Sequence, residues 1–179
     1  MKLLNQTAIV TGSSSGIGRA IAVAFGQEGA NVVVNYNSSR EKALEVVKQI
    51  KAVGGKAIAV KANVGKESDV IRLFEKTVAA FGRVDILVAN SGIQDDSSFL
   101  KMTLEQWNNV ININLTGQFL SAREAAKHFV AQVEGKTPDR AIGKIICMSS
   151  VHDMIPWAGH VNYAASKGGV LMFMKSIAQ

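Results

Sequence analysis

The amino-acid sequence predicts an α/β fold with a parallel, doubly wound β-sheet covered by helices on both faces, a three-layer α/β/α arrangement. Short runs of β-branched and other apolar residues alternate with longer stretches of helical period along the chain. These runs are almost continuously apolar, which is typical of strands buried on both faces of a sheet. The links between the runs are short, which favours right-handed strand–helix–strand units and therefore a parallel sheet.

The predicted elements follow one another in regular alternation. Strands are expected at Thr7–Thr11, Asn31–Asn35, Lys56–Lys61, Val84–Ala89 and Lys144–Met148. Helices are expected at Ile17–Glu28, Arg40–Val53, Glu67–Phe81, Leu104–Val133 and Val161–Gln179. Gly54, Gly55 and Gly82 come directly after predicted helices, where a left-handed C-terminal cap favours glycine. Glu134–Ala141, which contains Pro138 and several charges, predicts a surface loop. No domain boundary is visible, so we expect a single domain over residues 1–179.

Composition excludes several classes of protein. The chain has 179 residues, a formal net charge of +6 and a hydrophobic fraction of 47%, which excludes a disordered chain. The longest unbroken apolar run, Ala20–Phe25, is far too short to span a membrane, and no signal peptide is visible. Basic residues are scattered and only 6% of residues are aromatic, which argues against a nucleic-acid partner. A single cysteine, Cys147, excludes an internal disulfide and predicts a cytoplasmic protein.

A glycine-rich loop connects the first predicted strand to the first helix. Its sequence over residues 11–18 is Thr-Gly-Ser-Ser-Ser-Gly-Ile-Gly. We expect Gly12 to make a tight turn, Gly16 to let the backbone approach a pyrophosphate, and Gly18 to let the helix pack closely on the strand. The N–H groups around Ser14, Ser15 and Ile17, with the positive end of the helix dipole, would then face the phosphates. A glycine-rich turn without a ligand is the alternative interpretation.

The loop after the second strand carries no carboxylate. Its sequence over residues 35–40 is Asn-Tyr-Asn-Ser-Ser-Arg, at the place where an acidic residue normally holds the adenosine ribose. Without an acid at Asn35 or Asn37, a 2′-phosphate is not repelled, and Arg40 or the serine hydroxyls could bind it. The sequence therefore predicts that NADP is accepted at least as readily as NAD. An ordinary loop with a serine N-cap for the next helix is the alternative.

Candidate catalytic residues lie near the end of the chain. Tyr163 and Lys167 are four residues apart in a stretch of helical period, so their side chains share one helix face. A lysine ammonium beside a tyrosine stabilises the phenolate by attraction between opposite charges. Ser149 and Ser150 end the fifth predicted strand, where an open α/β sheet places its ligand crevice. The alternatives are a surface lysine above a half-buried tyrosine, and two serines in a turn or cap.

Together these motifs resemble those of the short-chain dehydrogenase/reductase family, which has a Rossmann fold. The resemblance runs from Thr7 to the last residue and rests on the glycine loop, Asn-Ser-Gly at 90–92, Asn114 within Asn-Ile-Asn-Leu-Thr-Gly, and Ser150 thirteen residues before Tyr-x-x-x-Lys. It implies that Tyr163 is the general acid/base and that Lys167 binds the nicotinamide ribose. It also implies that Ser150 hydrogen-bonds the reacting oxygen and that Asn114 holds a water in the proton path.

The resemblance implies further cofactor contacts, with two departures from the family pattern. The family usually has Asp-Val where this chain has Asn63-Val64, but Asn63 can still accept a hydrogen bond from the adenine amino group. The family favours Asn-Asn-Ala-Gly where this chain has Ala-Asn-Ser-Gly at residues 89–92, so that Asn90 and Gly92 are retained. The missing first asparagine removes one polar side chain that would brace the end of the fourth strand, and it leaves the catalytic residues unaffected. No metal site is predicted.

One segment indicates a subgroup and a substrate. Residues 149–157, Ser-Ser-Val-His-Asp-Met-Ile-Pro-Trp, are similar to a segment of bacterial glucose 1-dehydrogenases. Ser150 and Tyr163 would hold the sugar at the reacting atoms, and His152 and Trp157 would add a hydrogen bond and an apolar wall; alternatively, the latter two only shape the loop. The runner-up activity is reduction of a 3-oxoacyl group on an acyl carrier protein, an acidic partner that suits the net charge of +6. A catalytically silent nucleotide-binding module is a further alternative.

The final residues and two apolar helices carry the remaining expectations. Ile177-Ala178-Gln179 has no capping residue, so we expect an incomplete domain that lacks two further strands and a segment closing over the substrate. We therefore expect residues 1–179 alone to show little activity. A homo-oligomer, a tetramer by family resemblance, is expected through the helices at 104–133 and 161–179. The apolar positions that indicate it are Phe119, Phe129, Leu171 and Phe173.

Overall fold

A computed structural model describes residues 1–135 and 141–179 and confirms the predicted fold class. Within these residues, five parallel strands form one sheet in the order β3-β2-β1-β4-β5. The strands are β1 (Thr7–Val10), β2 (Asn31–Tyr36), β3 (Lys56–Lys61), β4 (Ile86–Ala89) and β5 (Lys144–Cys147). Because the strand order reverses direction at β1, the carboxyl ends of β1 and β4 flank the crevice where such sheets bind ligands.

Helices cover both faces of the sheet. They are α1 (Gly16–Gln27), α2 (Arg40–Ala52), α3 (Glu67–Phe81), α4 (Leu104–Ile111), α5 (Gly117–Ala131) and α6 (Val161–Ile177). Alternate residues of β1 point to opposite faces: Ala8 and Val10 pack with α1 and α2, and Ile9 packs with α3 and α5. The interpretation of the strands as buried on both faces is confirmed for β1, β2 and β4, whereas the edge strands β3 and β5 are only partly buried.

The predicted helix Leu104–Val133 is wrong in two respects. A π-helical turn at Asn112–Thr116 separates α4 from α5, and the helix ends at Ala131. A π turn contains one residue more than an α turn, and hydrophobic periodicity does not reveal such an insertion. The turn carries the buried Asn114, which it aims at the loop after β4.

Two of the three glycines expected as helix caps have the predicted conformation. Gly54 and Gly82 have φ angles of +83° and +77°, the left-handed region. Gly55 is needed for space instead, because a Cβ there would lie 2.7 Å from Ile50 Cγ2 and 3.0 Å from Ile50 O. In the predicted loop Glu134–Ala141, residues 136–140 lie outside the described residues.

The apolar residues expected at an oligomer interface differ in exposure. Phe129 belongs to the core, and Phe173 packs against that same core and edge-on against the Phe119 ring. Phe119 itself is 41% exposed, and Val130 and Met172 are also exposed. β5 forms one edge of the described sheet, with Ile146 exposed. None of the helices in the described ranges is both long and apolar enough to cross a membrane.

Candidate functional site

A polar cleft of about 540 Å³ opens at the carboxyl ends of β1, β2 and β4. It contains nine of the residues predicted to bind a cofactor: Gly12, Ser14, Ser15, Asn35, Asn37, Asn63, Val64, Asn90 and Gly92. Arg40 begins α2 with an exposed side chain, but it is not among the described residues that line the cleft. The other predicted cofactor residues, Gly16, Ile17, Gly18, Tyr163 and Lys167, are not among those described residues either, so the sequence located the cleft in part.

The three loop glycines are required for different reasons. Gly12 has a φ of +61°, and a Cβ there would lie 2.9 Å from Ser91 Oγ. A Cβ at Gly18 would lie 2.5 Å from Asn90 Nδ2 and 2.7 Å from the Gly12 carbonyl oxygen. Gly16 has a φ of +55°, and no described atom lies within 4 Å of the place of its Cβ, so its backbone faces open space. The loop thus fits a dinucleotide, since phosphates need backbone N–H groups they can approach closely.

Asn90 braces the glycine loop. Its Nδ2 donates to the carbonyl oxygens of Thr11 and Gly12, at 2.9 and 3.3 Å. The N–H groups of Asn90 and Ser91 both donate to Thr11 Oγ1. Ala89, where the family favours a first asparagine, is buried in the core. The bracing that this departure put in doubt is therefore supplied by Asn90.

The structure changes the role expected of Asn35. Its side chain is 1% exposed, and Oδ1 accepts the Gly12 N–H at 3.0 Å. Its Nδ2 donates to the carbonyl oxygens of Val60 and Ala62, at 3.3 and 3.0 Å. The side chain therefore ties β1, β2 and β3 together beneath the cleft and is not directed at a ribose phosphate. Sequence reasoning could not separate it from Asn37, because the two asparagines differ only in their burial within the fold.

Asn37 is the asparagine that remains for contact with a cofactor. It is exposed at the end of β2, as are Ser38 and Arg40. Ser39 stands at the N-cap of α2, but within the described chain its side chain makes no cap hydrogen bond. The alternative of a serine at the N-cap is therefore confirmed in position, without a hydrogen bond from the cap side chain.

Asn63 is held at the mouth of the cleft by its own loop. Its Oδ1 accepts the Gly65 N–H at 3.0 Å, and its N–H donates to Asp69 Oδ2 at 2.8 Å. That backbone hydrogen bond, followed by the Arg72 guanidinium, lowers the pKa of the Asp69 carboxyl below its usual value. The expected contact of Asn63 with an adenine stays a prediction.

A second pocket of about 340 Å³ adjoins the cleft and contains the predicted Tyr163 and Lys167. It shares Asn90, Gly92 and Ile93 with the cleft. The other residues that line it are Ile17, Gln94, Met148 and Ser149. A ligand that fills the cleft can therefore extend to Tyr163.

Lys167 is buried beside the tyrosine. Its side chain is 4% exposed, its Nζ donates to the Met148 carbonyl oxygen at 2.9 Å, and Nζ lies 5.5 Å from the centroid of the Tyr163 ring. Burial lowers the pKa of the Lys167 ammonium, and the Asp153 carboxylate partly offsets this. The alternative of an exposed lysine above the tyrosine is wrong.

The side chain of Asn114 is fully buried, and both its polar atoms form hydrogen bonds. Its Oδ1 accepts the Ile93 N–H at 2.8 Å, and its Nδ2 donates to Ile93 O at 3.0 Å and to Ser166 Oγ at 3.1 Å. The π turn thereby fastens the loop after β4 to α6. This fastening was not expected from the sequence, and the predicted part of Asn114 in a water path stays a prediction.

The two serines after β5 have different surroundings. Ser149 lines the pocket, and its hydroxyl donates to Asp153 Oδ2 at 2.7 Å. Ser150 precedes a 3₁₀ turn at Val151–Asp153, and its hydroxyl accepts the His152 N–H at 3.3 Å. Of the described residues, Ser149 and not Ser150 is among those that line the pocket.

Asn162, which the sequence did not indicate, fixes the start of the tyrosine helix. It is completely buried; its Oδ1 accepts the Tyr163 N–H at 2.8 Å, and its Nδ2 donates to Asp95 O at 2.8 Å. Gln106 of α4 also contacts this loop, with Nε2 donating to Asp95 Oδ1 at 2.9 Å. No sequence pattern predicts that an asparagine in the first turn of a helix will join that helix to a distant loop.

His152 and Trp157 stack on one another rather than pointing separately into the pocket. Their ring centroids are 4.4 Å apart, and His160 stacks on the Trp157 ring at 3.4 Å. His152 Nδ1 also lies 2.9 Å from Ile155 O. The contacts match the alternative that both residues shape the loop, and Trp157 as a whole remains 43% exposed.

The comparisons with known proteins identify the family of the chain. The profile of the family described as short chain dehydrogenase matches residues 6–179. The chain belongs to the short-chain dehydrogenase family. Within that family it is 47% identical to a 3beta-hydroxysteroid dehydrogenase 1 of Eggerthella lenta, 42% to a glucose 1-dehydrogenase 2 of Bacillus subtilis and 44% to a 3-oxoacyl-[acyl-carrier-protein] reductase of Synechocystis.

These matches cover nearly all of this chain but only part of each relative. They span 98, 98 and 99% of this chain, and 65, 66 and 68% of the three relatives in the same order. Among solved structures, a short-chain dehydrogenase of Burkholderia cenocepacia in complex with NADP has a TM-score of 0.89 at 33% identity. That match covers 99% of this chain and 69% of the other. In the described ranges, no group of three or more His, Cys, Asp and Glu residues is placed to hold a metal ion.

Proposed function

We propose that the protein is an NAD(P)-dependent oxidoreductase that transfers hydride between a nicotinamide cofactor and a substrate CH–OH or carbonyl group. The observation that carries the proposal is the buried Lys167 beside Tyr163, in a pocket continuous with a cleft built around a glycine loop. A purely structural tyrosine–lysine pair would not need to open onto a nucleotide cleft. The family membership supports the same activity.

The cofactor proposed is NADP or NAD. Backbone N–H groups at Ser14, Ser15 and Ile17 would hold the pyrophosphate, and Asn37, Ser38 and Arg40 would meet a 2′-phosphate. Support comes from the lack of a carboxylate at the end of β2 and from a relative's structure solved in complex with NADP. The remaining expected contacts, Asn63, Val64, Asn90 and Gly92, line the same cleft.

The chain's own residues would move one proton. In the oxidation, the Tyr163 phenolate accepts the proton of the substrate hydroxyl; in the reduction, the phenol donates it to the carbonyl oxygen. Lys167 stabilises the phenolate by its charge, and a hydroxyl of Ser149 or Ser150 orients the substrate oxygen by a hydrogen bond. When bound, the nicotinamide supplies or accepts the hydride.

For the substrate, we propose a sugar hydroxyl, as in a glucose 1-dehydrogenase. Trp157 is 43% exposed and would offer apolar surface to a sugar, and His152 Nε2 is available to a hydroxyl when Nδ1 is bound to Ile155 O. The second candidate is a 3-oxoacyl thioester on an acyl carrier protein. It is favoured by the net charge of +6, which suits an acidic partner.

A substrate panel separates these candidates. Initial rates would be measured on the full-length protein with glucose, a 3β-hydroxysteroid and an acetoacetyl thioester, each with NAD(H) and NADP(H). The proposal expects the highest kcat/KM with the sugar; a higher value with the thioester or the steroid would replace the sugar but keep the oxidoreductase. Tight cofactor binding without turnover of any substrate would instead indicate a silent nucleotide-binding module.

The organisation of the protein completes the proposal. We expect one domain that holds both the cofactor cleft and the catalytic residues, as the continuity of the two pockets favours. We also expect a cytoplasmic homotetramer, for which exposed apolar positions on α5 and α6 give support.

A further inference from the structure

The carbonyl oxygen of Met148, the residue after β5, accepts two side-chain hydrogen bonds. Lys167 Nζ donates one at 2.9 Å, and Gln118 Nε2 donates the other at 3.0 Å. The Met148 N–H donates to Ala89 O at 3.1 Å, so Met148 continues the pairing of β5 with β4. Lys167 and Gln118 thus reach the same oxygen from two different helices, α6 and α5.

Gln118 is a buried polar residue of α5. It is 2% exposed, and its buried neighbours on α5 include Leu120, Ala122 and Ala125. A buried amide costs free energy wherever its polar atoms lack partners. Among the described residues, none forms a hydrogen bond with Gln118 Oε1. An apolar residue would avoid that cost, so the bond to Met148 is what the amide adds at this position.

That bond restricts where the Lys167 ammonium can lie. A carbonyl oxygen has two lone pairs. Because Gln118 occupies one, the ammonium is left with the other and cannot move freely around the oxygen. A lysine side chain has four rotatable bonds, so such a restriction decides how much of the time Nζ spends beside the Tyr163 ring.

We propose that Gln118 is a positioning residue that holds the Met148 carbonyl and, through it, the ammonium of Lys167. The inference rests on the proposed function for its effect on turnover, but its effect on Lys167 exists without a substrate. Gln118 itself is not among the residues that line the pocket, and it makes no hydrogen bond with Tyr163 within the described contacts.

The test is Gln118→Met in the full-length protein, which keeps the length of the side chain and removes the donor. Gln132→Met is the matched control, since Gln132 also binds one main-chain residue, accepting the Val84 N–H at 2.7 Å and donating to Val84 O at 2.8 Å, away from the site. Gln118→Leu is the second variant, and thermal melting checks that each variant folds.

Two measurements distinguish the variants. The pKa of Lys167 is followed by NMR of ¹³C-labelled lysines, with the signal assigned by its loss in Lys167→Met. We expect it to shift by about half a unit or more in both Gln118 variants and to stay fixed in Gln132→Met. With the panel's best substrate, kcat should fall about tenfold in the Gln118 variants, with a displaced pH–rate profile.

A Lys167 titration in Gln118→Met that coincides with the wild type and with Gln132→Met would overturn the proposal. That outcome does not depend on turnover, so it differs from a failure of the proposed function, in which the wild type itself oxidises no substrate. If turnover exists, equal kcat and pH profiles in Gln118→Met and Gln132→Met would overturn it as well.

Discussion

Asn37, rather than Asn35, is the side chain that we propose to meet a 2′-phosphate and so to distinguish the two forms of the cofactor. A carboxylate at the exposed position 37 would repel a 2′-phosphate, so Asn37→Asp should weaken NADP binding about tenfold, or about 1.4 kcal/mol, relative to NAD. Calorimetric titration with both cofactors measures the ratio. Unchanged preference in Asn37→Asp would exclude this contact.

Asn35→Asp is the second variant, and it tests whether Asn35 has a structural role instead of a cofactor contact. A carboxylate cannot donate to the carbonyl oxygens of Val60 and Ala62, so this variant should lose thermal stability before it changes cofactor preference. Cofactor preference that shifts at full stability would restore Asn35 as a direct contact.

Burial of the Lys167 ammonium is expected to lower the free energy of unfolding. Burial lowers its pKa from the ordinary 10.5, so carrying the proton costs free energy of folding at any pH below the folded-state pKa. The cost disappears as the pH rises through that value towards 10.5. Lys167→Met should therefore melt higher than the wild type at pH 7, by about 2–4 °C for each kcal/mol, with a gap that narrows at alkaline pH. Calorimetry at both pH values measures it; a variant that melts lower at pH 7 contradicts it.

Residue spacing predicts some of this chemistry and not the rest. Tyr163 and Lys167 could be paired because four residues make one helical turn, which brings the two side chains to one face. Asn35 and Gln118 could not be assigned, because their roles depend on which carbonyl oxygens the fold brings within hydrogen-bond distance of their amides. Neighbouring serines are equally ambiguous, since one residue's rotation decides which of Ser149 and Ser150 faces the pocket.

The glycine loop is the element whose sequence determines its shape most strictly. A Cβ at Gly18 would collide with Asn90 Nδ2 and with the Gly12 carbonyl oxygen, so Gly18→Ala should displace the loop. We expect the Kd of NADP to rise at least about tenfold, as measured by calorimetry. Gly168→Ala is the control, because its Cβ would meet only Asp153 O, at an ordinary 3.6 Å. Equal NADP affinity in both variants would contradict this view of the loop.

At the scale of elements, the strands and most helix ends followed the hydrophobic pattern, and α3 and β3 agree with it residue for residue. The π turn at Asn112–Thr116 did not, because one inserted residue leaves the apolar spacing on either side nearly intact. The effect of this turn is visible only in the folded structure, where it brings Asn114 within hydrogen-bond distance of Ile93.

For the whole molecule, the proposed tetramer should use exposed apolar positions of α5 and α6. Phe119, Val130 and Met172 remain exposed, while Phe129 is part of the core. Light scattering of the full-length protein should give four times the monomer mass, and Val130→Glu should reduce it by burying a charge in the contact. A stable monomer, or a mass that Val130→Glu leaves unchanged, would exclude this interface.

The parallel sheet brings the glycine loop, the exposed end of β2 and the Tyr163–Lys167 pair to one edge, although they are spread over the chain. Tyr163→Phe in the full-length protein tests the proposed chemistry most directly, because it removes the hydroxyl and leaves the ring. Cofactor affinity should stay within about twofold, while kcat should fall about 10²–10⁴-fold. Near-normal turnover with unchanged affinity would show that Tyr163 does not carry the proton, and would contradict the proposed mechanism.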